Sequence, residues 1–523
     1  MSERHNHLKT VSTVMLLTLI GKVLGLVRDM LMGHYFGTGM EASAFTVASQ
    51  IPRNFFDAIF ASAISASFIP VFNDCLEKKG KDEAFRLSNS FITLMGLFTI
   101  LLSAAGIVLA GPFAALQAGG EAGFDAATLA LCTRLLRILF PTIVFTGLAF
   151  SMVGVLQSLG EFSIPAVMSA VSNGVIILYY LFLCRRFGVY GLAAAFLAGW
   201  ALQAVIQVPA LRKRGYHYRP AIRHPGLKSV FLLMGPVMVS TWIQPINLVV
   251  STRFAADLNQ GQAVAAMNYA NSLYTMLAGI LVLSLTNVIF PELSRLGSQK
   301  EEAGFGALVA SSLRSMLFLL LPMMVGLMIQ AQPLIRLLYE WGEWTAESTA
   351  LTARALAFLA LGMVGYGIQN VLSRAFYAVQ SGRVPLITGL VSIALNVLLC
   401  LTLSPVMGIA GLALASALSS TVSALLLLIP MGRKHPGLLS SALWRDVARM
   451  AASALVMGAA ALLVRWGLSL VLSGEGLLDR LLLAGVPALA GAAVYFPSAW
   501  LLRVPEMKQA AAMIQKILHR GGN

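Results

Sequence analysis

A chain of 523 residues in which 58% are hydrophobic and only 11% are charged has too little polar surface for an ordinary soluble protein. Its mean hydropathy is +0.80, and apolar runs of about 20 residues, each long enough to cross a bilayer, recur throughout. The formal net charge of +15 comes without any soluble basic domain, which excludes a nucleic-acid-binding protein. Cys75, Cys132, Cys184 and Cys400 stand far apart, which excludes a disulfide framework and a paired-cysteine metal site.

Fourteen apolar segments are predicted to be transmembrane helices, with Gly and Pro residues at the breaks between them. In chain order they cover residues 10–36, 42–72, 88–111, 127–156, 162–184, 188–211, 228–256, 261–291, 307–338, 348–379, 384–404, 407–431, 446–472 and 478–502. The first segment has no small-residue cleavage site after a short apolar stretch, so we expect it to remain as a span. The predicted fold class is an all-α polytopic membrane protein with about 14 transmembrane helices.

Basic residues are distributed unequally between the alternate loops of this arrangement. With the N-terminus in the cytoplasm, 22 Lys and Arg residues fall in inside segments and three fall in outside segments. Cytoplasmic loops of membrane proteins carry such an excess of cations. The pattern predicts an even number of spans with both termini in the cytoplasm. It also accounts for the net charge, because cationic loops face an anionic leaflet.

The chain repeats itself with an offset of 220 residues. Pro165 returns as Pro385, and Gly188 returns as Gly408 within a similar short motif. Six spans in each half would make the repeats parallel, related by an axis along the membrane normal. The predicted domains are an N-terminal lobe (1–220), a pseudo-symmetric C-terminal lobe (221–435), spans 13 and 14 (436–502) and an amphipathic cytoplasmic tail (503–523).

Five cations lie inside the apolar runs: Lys22, Arg28, Arg53, Arg253 and Arg374. A buried charge in a membrane costs about 2.5 kcal/mol or more unless it faces water, a partner or a substrate. The pattern therefore indicates a carrier of something negatively charged. The non-spanning stretches hold no convergent acidic or histidine motif, so we predict no catalytic residue, no metal site, no cofactor and no enzymatic activity.

Acidic neighbours offer some of these cations an alternative role. Asp29 lies seven residues after Lys22 and shares its helix face, whereas adjacent side chains point about 100° apart. We therefore expect a Lys22–Asp29 pair that leaves Arg28 free for substrate. The alternatives are that Arg28 and Asp29 neutralise each other or that Arg28 extends to the membrane surface. Arg53 and Asp57 are four residues apart and could instead bridge one another.

The same local bridge is open to Arg253 and Asp257. Arg374 has no acidic neighbour within a turn, and a helix–helix contact through backbone carbonyls is as compatible with its position as a ligand role. The predicted substrate-binding set comprises Arg28, Arg253, Lys22, Arg53, Asp29 and Arg374.

Several sequence blocks resemble the MurJ/MviN family of lipid II flippases, within the multidrug/oligosaccharidyl-lipid/polysaccharide exporter superfamily. The blocks are Gly21-Lys-Val-Leu-Gly-Leu-Val-Arg-Asp29, Ser67-Phe-Ile-Pro-Val-Phe72, Ile289-Phe-Pro-Glu-Leu-Ser294 and Ser373-Arg-Ala-Phe-Tyr-Ala-Val-Gln380. The resemblance implies fourteen helices in two lobes, a cationic central cavity and export of a peptidoglycan precursor by alternating access. It also implies that Arg253 corresponds to a cation of the family's seventh span.

The chain departs from the family pattern at several polar positions. Ser43 stands where many members have an acidic residue, Ser272 stands where many have arginine, and Lys22 replaces a common arginine. Lysine lacks the planar fork with which arginine binds phosphate. The cargo is therefore left open between lipid II and another polyprenyl-diphosphate saccharide.

The function predicted is a flippase that moves a lipid-linked saccharide, foremost lipid II, from the inner to the outer leaflet of the bacterial inner membrane. The alternatives are an exporter of an exopolysaccharide or O-antigen precursor and a cation-coupled drug antiporter. The antiporter is disfavoured because it requires buried carboxylates, whereas this chain buries cations. We expect a monomer that contacts its lipid-linked substrate and membrane lipids, driven by an ion gradient or the membrane potential.

Overall fold

The computed structural model describes residues 2–120, 123–299 and 301–507, and the regular secondary structure within them is helical. The first half holds α1 (Ser2–Phe36), α2 (Met40–Ser49), α3 (Phe56–Ala63), α4 (Ile69–Lys79), α5 (Lys81–Val108), α6 (Ala110–Gln117), α7 (Ala126–Leu139), α8 (Thr142–Ser158), α9 (Ser163–Phe182), α10 (Cys184–Val205), α11 (Gln207–Lys213), α12 (Leu227–Thr241) and α13 (Ile243–Ala256). The second half holds α14 (Gln262–Ser298), α15 (Glu302–Tyr339), α16 (Ala346–Ala360), α17 (Met363–Ala378), α18 (Arg383–Met407), α19 (Ile409–Lys434), α20 (Ser441–Ser469) and α21 (Leu477–Leu501). Two π-helical turns, Gln50–Phe55 and Ile64–Phe68, flank α3.

Eleven helices within the described residues are long and apolar enough to cross a membrane, or twelve if the bent pair α16–α17 forms one span. The all-α membrane fold is thus confirmed, and the number fourteen stays a prediction. The two predicted spans outside this set, 10–36 and 228–256, fall on α1 and on α12 with α13, which are helical. Large side chains such as Val108, Phe182 and Val406 are more than three-quarters exposed, as suits lipid-facing surfaces.

The repeat is visible in the backbone at Gly188 and Gly408. Gly188 has φ 53° and ψ −146°, and Gly408 has φ 59° and ψ −134°. A side chain would be strained in this conformation, which glycine adopts freely. Gly188 kinks α10 four residues after its start, and Gly408 separates α18 from α19. The two repeat positions therefore make the same sharp turn.

The first compact unit comprises Met1–Ala265 and Trp341–Trp344. Within it α1 packs along α9, α10 packs against α8 and α9, and α5 packs against α8. Helices α12 and α13 also pack in this unit, against α3 and the π-helical turns. The main segment of the first unit therefore ends at Ala265, whereas the sequence repeat divides the chain at residue 220. The predicted domain limits stay a prediction.

The second compact unit comprises Ala266–Glu340 and Thr345–Asn523. The two additional helices α20 and α21 pack against α15 around an apolar cluster that includes Phe318, Met450 and Tyr495. The Tyr495 hydroxyl donates to the backbone oxygen of Phe318 at 2.7 Å. Most of the predicted tail, 508–523, lies outside the described residues.

Candidate substrate cavity

A cavity of about 530 Å³ opens within the first unit, between α1, α8, α9 and α10. On α1 its lining extends from Val14 through Thr18 to Arg28. Fourteen residues of helix rise about 21 Å, so the cavity runs along much of a span. Its charged lining residues are Arg28, Arg53 and Asp57. The cavity therefore brings two of the predicted cations together.

Glycines on α1 allow α9 to approach the cavity wall closely. A Cβ on Gly21 would lie 3.3 Å from the Ser169 Cβ, and one on Gly25 would lie 3.5 Å from the Asn173 side chain. Small residues permit such close helix packing in membranes. The Asn173 amide then donates to the backbone oxygen of Gly21 at 3.0 Å. This bond fixes the Asn173 side chain beside Arg28.

The Arg28 guanidinium is held by two neighbours. Its Nε and Nη2 donate to Asp29 Oδ1 at 3.0 and 2.7 Å, and its Nη1 donates to Asn173 Oδ1 at 3.0 Å. The expected Lys22–Asp29 pair is wrong, and the alternative Arg28–Asp29 pair forms, because the long Arg28 side chain folds back onto the adjacent carboxylate. Lys22 lies two helical turns away from Asp29, about 10 Å along α1, and is half-buried.

Phe196 of α10 contacts both arginines of the cavity. The guanidinium carbons of Arg28 and Arg53 lie 5.7 and 5.6 Å from its ring centroid, within the range of cation–π attraction. Arg53 belongs to the π-helical turn Gln50–Phe55. Phe196 itself is 2% exposed, stacks on Trp200 and meets Phe45 edge-on.

Asp57 is tied to neighbouring helices of the same unit. Its Oδ1 accepts from the Thr146 hydroxyl at 2.9 Å and from the Trp200 indole nitrogen at 3.3 Å. Asp57 and Arg53 both line the cavity, and the bridge between them stays a prediction.

The remaining predicted cations lie elsewhere. Arg253, near the end of α13, pairs with Asp257 at 2.7 Å, which is the local bridge left open by the sequence. Asp257 also accepts from the backbone nitrogen of Gly120. Arg374 belongs to the second unit, and its guanidinium carbon lies 5.6 Å from the Phe290 ring. Neither arginine lines the cavity that holds Arg28.

The sequence did not indicate the neutral residues of the site. Asn173, Phe196, Trp200 and Thr146 hold the charged groups, but each is of a type common in apolar helices. The four-residue spacing of Phe196 and Trp200 was the one available signal. Among the described residues, no group of three His, Cys, Asp or Glu side chains is placed to hold a metal.

Comparison with known proteins decides the family. The family model described as lipid II flippase MurJ matches residues 32–482. The chain belongs to the MurJ family. Similarity to the lipid II flippase MurJ of Burkholderia cenocepacia covers 95% of this chain and 98% of that protein, at 30% identity. The family consists of transporters, so this MurJ-family chain is a multi-pass membrane transporter and not an enzyme.

Solved structures agree on the fold. A MurJ lipid II flippase in an inward closed conformation matches with a TM-score of 0.77 at 24% identity, covering 92% of this chain and 98% of that one. An inward-facing multidrug resistance MATE family transporter matches with a TM-score of 0.67 at 13% identity, covering 82% and 98%. The MurJ-family fold is therefore shared with a wider group of transporters.

Proposed function

We propose that this protein moves lipid II, the polyprenyl-diphosphate-linked precursor of peptidoglycan, from the inner to the outer leaflet of the bacterial inner membrane. Family membership supports a flippase, and the relative of 30% identity is named for lipid II. The observation that carries the proposal is the pair of arginines, Arg28 and Arg53, on one aromatic ring in a cavity of about 530 Å³. Paired guanidinium groups suit a diphosphate, which presents anionic oxygens on two phosphorus atoms.

Arg28 has donors to offer to such a ligand. A guanidinium carries five N–H donors, and the bonds to Asp29 and Asn173 use three of them. Two N–H groups are left to reach the cavity, and the three occupied ones fix the plane of the group. A guanidinium that is already fixed by hydrogen bonds loses less conformational entropy on binding a phosphate than a mobile side chain would.

The carboxylates explain how the empty cavity tolerates two cations. Asp29 pairs with Arg28 directly, and Asp57 stands in the lining beside Arg53. A buried cation without a counter-charge would be expensive, so these acids stabilise the site between transport cycles. The anionic headgroup then adds a second partner for each guanidinium.

The transport route we propose follows the cavity along α1. Loop charges predict a cytoplasmic N-terminus, and with that orientation the Val14 end of the cavity would receive the headgroup from the inner leaflet. The polyprenyl chain would stay in lipid while the protein alternates between inward and outward openings. An ion gradient or the membrane potential would supply the energy, and a monomer without a cofactor would suffice.

A second cargo, another polyprenyl-diphosphate saccharide, stays an alternative because it would present the same diphosphate to Arg28 and Arg53. Binding measurements on the purified protein would test both. Lipid II should bind more tightly than neutral undecaprenol, with affinity falling as salt rises. Equal binding of lipid II and undecaprenol would contradict the proposal, and tighter binding of an O-antigen precursor than of lipid II would favour the second cargo.

A further inference from the structure

Phe196 occupies a position that the charge of the cavity does not by itself explain. Its ring lies behind the lining and is almost fully buried, yet both guanidinium groups approach it. Since each guanidinium carbon lies within 5.7 Å of one ring centroid, Arg28 and Arg53 stand no more than about 11 Å apart. Two cations at such a distance in a low-dielectric site repel one another.

The ring offsets that repulsion and fixes the geometry. Its π-face carries negative electrostatic potential and attracts a cation without neutralising it, unlike a carboxylate. Phe196 is itself held in place, because it stacks on Trp200 at 5.5 Å and 16°. Trp200 in turn donates to Asp57. One helix, α10, therefore fixes both cations and a counter-charge.

We propose that Phe196 is a positioning residue that presents Arg28 and Arg53 as a pair to the diphosphate of the substrate. This inference rests on the proposed function, since it assigns the ring a task only if a diphosphate binds there. The ring leaves the guanidinium charges available to the ligand, which an additional carboxylate would not. It acts through the arginines and does not itself contact the headgroup.

The experiment compares two lipids on four proteins. Dissociation constants for undecaprenyl diphosphate and for neutral undecaprenol are measured for the wild type, Phe196→Leu, Phe196→Tyr and Phe45→Leu. The readout is the ratio of the two constants, because a general folding or packing defect weakens both lipids alike. Phe45 is the matched control, since it packs on Phe196 and its described ring contact is with that ring and not with an arginine.

Phe196→Leu should weaken diphosphate binding about 10-fold, as expected for the loss of two cation–π contacts, and leave undecaprenol binding unchanged. Phe196→Tyr keeps the ring and should restore the wild-type ratio. Phe45→Leu should lower the melting temperature as Phe196→Leu does, without changing the ratio. If Phe196→Leu does not fold, Phe196→Met fills more of the site and is measured in its place.

Two results would overturn the role of Phe196 while leaving the proposed function intact. In the first, Phe196→Leu has the same ratio of dissociation constants as the wild type. In the second, Phe45→Leu changes that ratio as much as Phe196→Leu does, which would show that the effect comes from packing. If the wild type itself does not bind the diphosphate lipid more tightly than undecaprenol, both the proposed function and the role of Phe196 are contradicted.

Discussion

Asp29 Oδ1 accepts two hydrogen bonds from the adjacent Arg28, at 3.0 Å from Nε and 2.7 Å from Nη2. Both side chains are nearly buried, with 13% and 10% of their surfaces exposed. Each charge is therefore stabilised mainly by the other, and Arg28 contributes to the stability of the protein as well as to the cavity. Removal of one residue would leave the charge of the other buried without a counter-charge.

This pairing predicts how single and double variants differ in stability. Arg28→Ala should lower the free energy of unfolding by about 1–3 kcal/mol, because Asp29 loses its counter-charge in a buried site. The double variant Arg28→Ala/Asp29→Ala should recover much of that loss. Melting curves of the purified proteins measure both effects. An Arg28→Ala protein as stable as the wild type would show that water, not Arg28, satisfies Asp29.

The close approach of α1 and α9 predicts the effect of a larger residue at Gly21. In Gly21→Val the Cβ would lie 3.3 Å from the Ser169 Cβ, and the branched methyl groups would force the helices apart. The expected cost is about 1–3 kcal/mol of stability, with weaker diphosphate binding because Asn173 loses the Gly21 oxygen.

Gly174 of α9 provides the matched control for this substitution. A Cβ built there has no heavy atom within 4 Å, so Gly174→Val should be tolerated. Melting temperatures and lipid binding of the two variants give the comparison. Equal behaviour of the two variants would contradict the close packing of α1 on α9.

The buried carboxyl of Glu506, which follows the last helix, is expected to make the stability of the protein depend on pH. Burial raises the pKa of this carboxyl, and the Arg314 guanidinium at 3.8 Å offsets only part of the shift. Because the folded pKa lies above the unfolded one, the stabilising contribution is present at low pH and is lost as pH rises through the folded pKa.

Glu506→Gln cannot ionise, so its melting temperature relative to the wild type should increase as pH rises from about 4 to about 7. Thermal unfolding across this range measures the difference. A difference between the two proteins that does not vary with pH would contradict the raised pKa.

The predicted orientation can be tested by labelling single introduced cysteines in intact cells. Glu343→Cys should react with an impermeant thiol reagent from outside, whereas Lys79→Cys and Lys434→Cys should react only after the membrane is opened. All three positions are exposed, and the four native cysteines are buried and should not compete. External labelling at position 79 or 434 would reverse the orientation.

The helical membrane fold was predictable because the bilayer itself imposes long apolar helices on the sequence. Arg28 and Arg53 could be identified as cavity residues for a related reason, since a charge inside such a helix needs a polar environment. Both features follow from the membrane as the solvent of these helices, whichever helices are neighbours.

Details that depend on tertiary neighbours could not be predicted. The π-helical turn at Gln50–Phe55, which contains Arg53, has no signal in the apolar periodicity. The sequence left the Arg28–Asp29 pair open only as an alternative, because its formation depends on how one long side chain folds back. Phe196 acquires its role only when α10 packs beside the arginines, and its four-residue spacing from Trp200 is its one signal in the sequence.

Transport of lipid II by proteoliposomes tests the central claim most directly. The double variant Arg28→Ala/Asp29→Ala, chosen because it should fold, is expected to transport roughly 10- to 100-fold more slowly than the wild type, since the diphosphate loses a charge-assisted contact. Arg28→Lys should recover only part of the rate, because it keeps the charge and loses the planar fork. Arg212→Ala, at an exposed position in a predicted cytoplasmic loop, should transport normally. Wild-type transport by the folded double variant would contradict the assignment of Arg28 to the substrate.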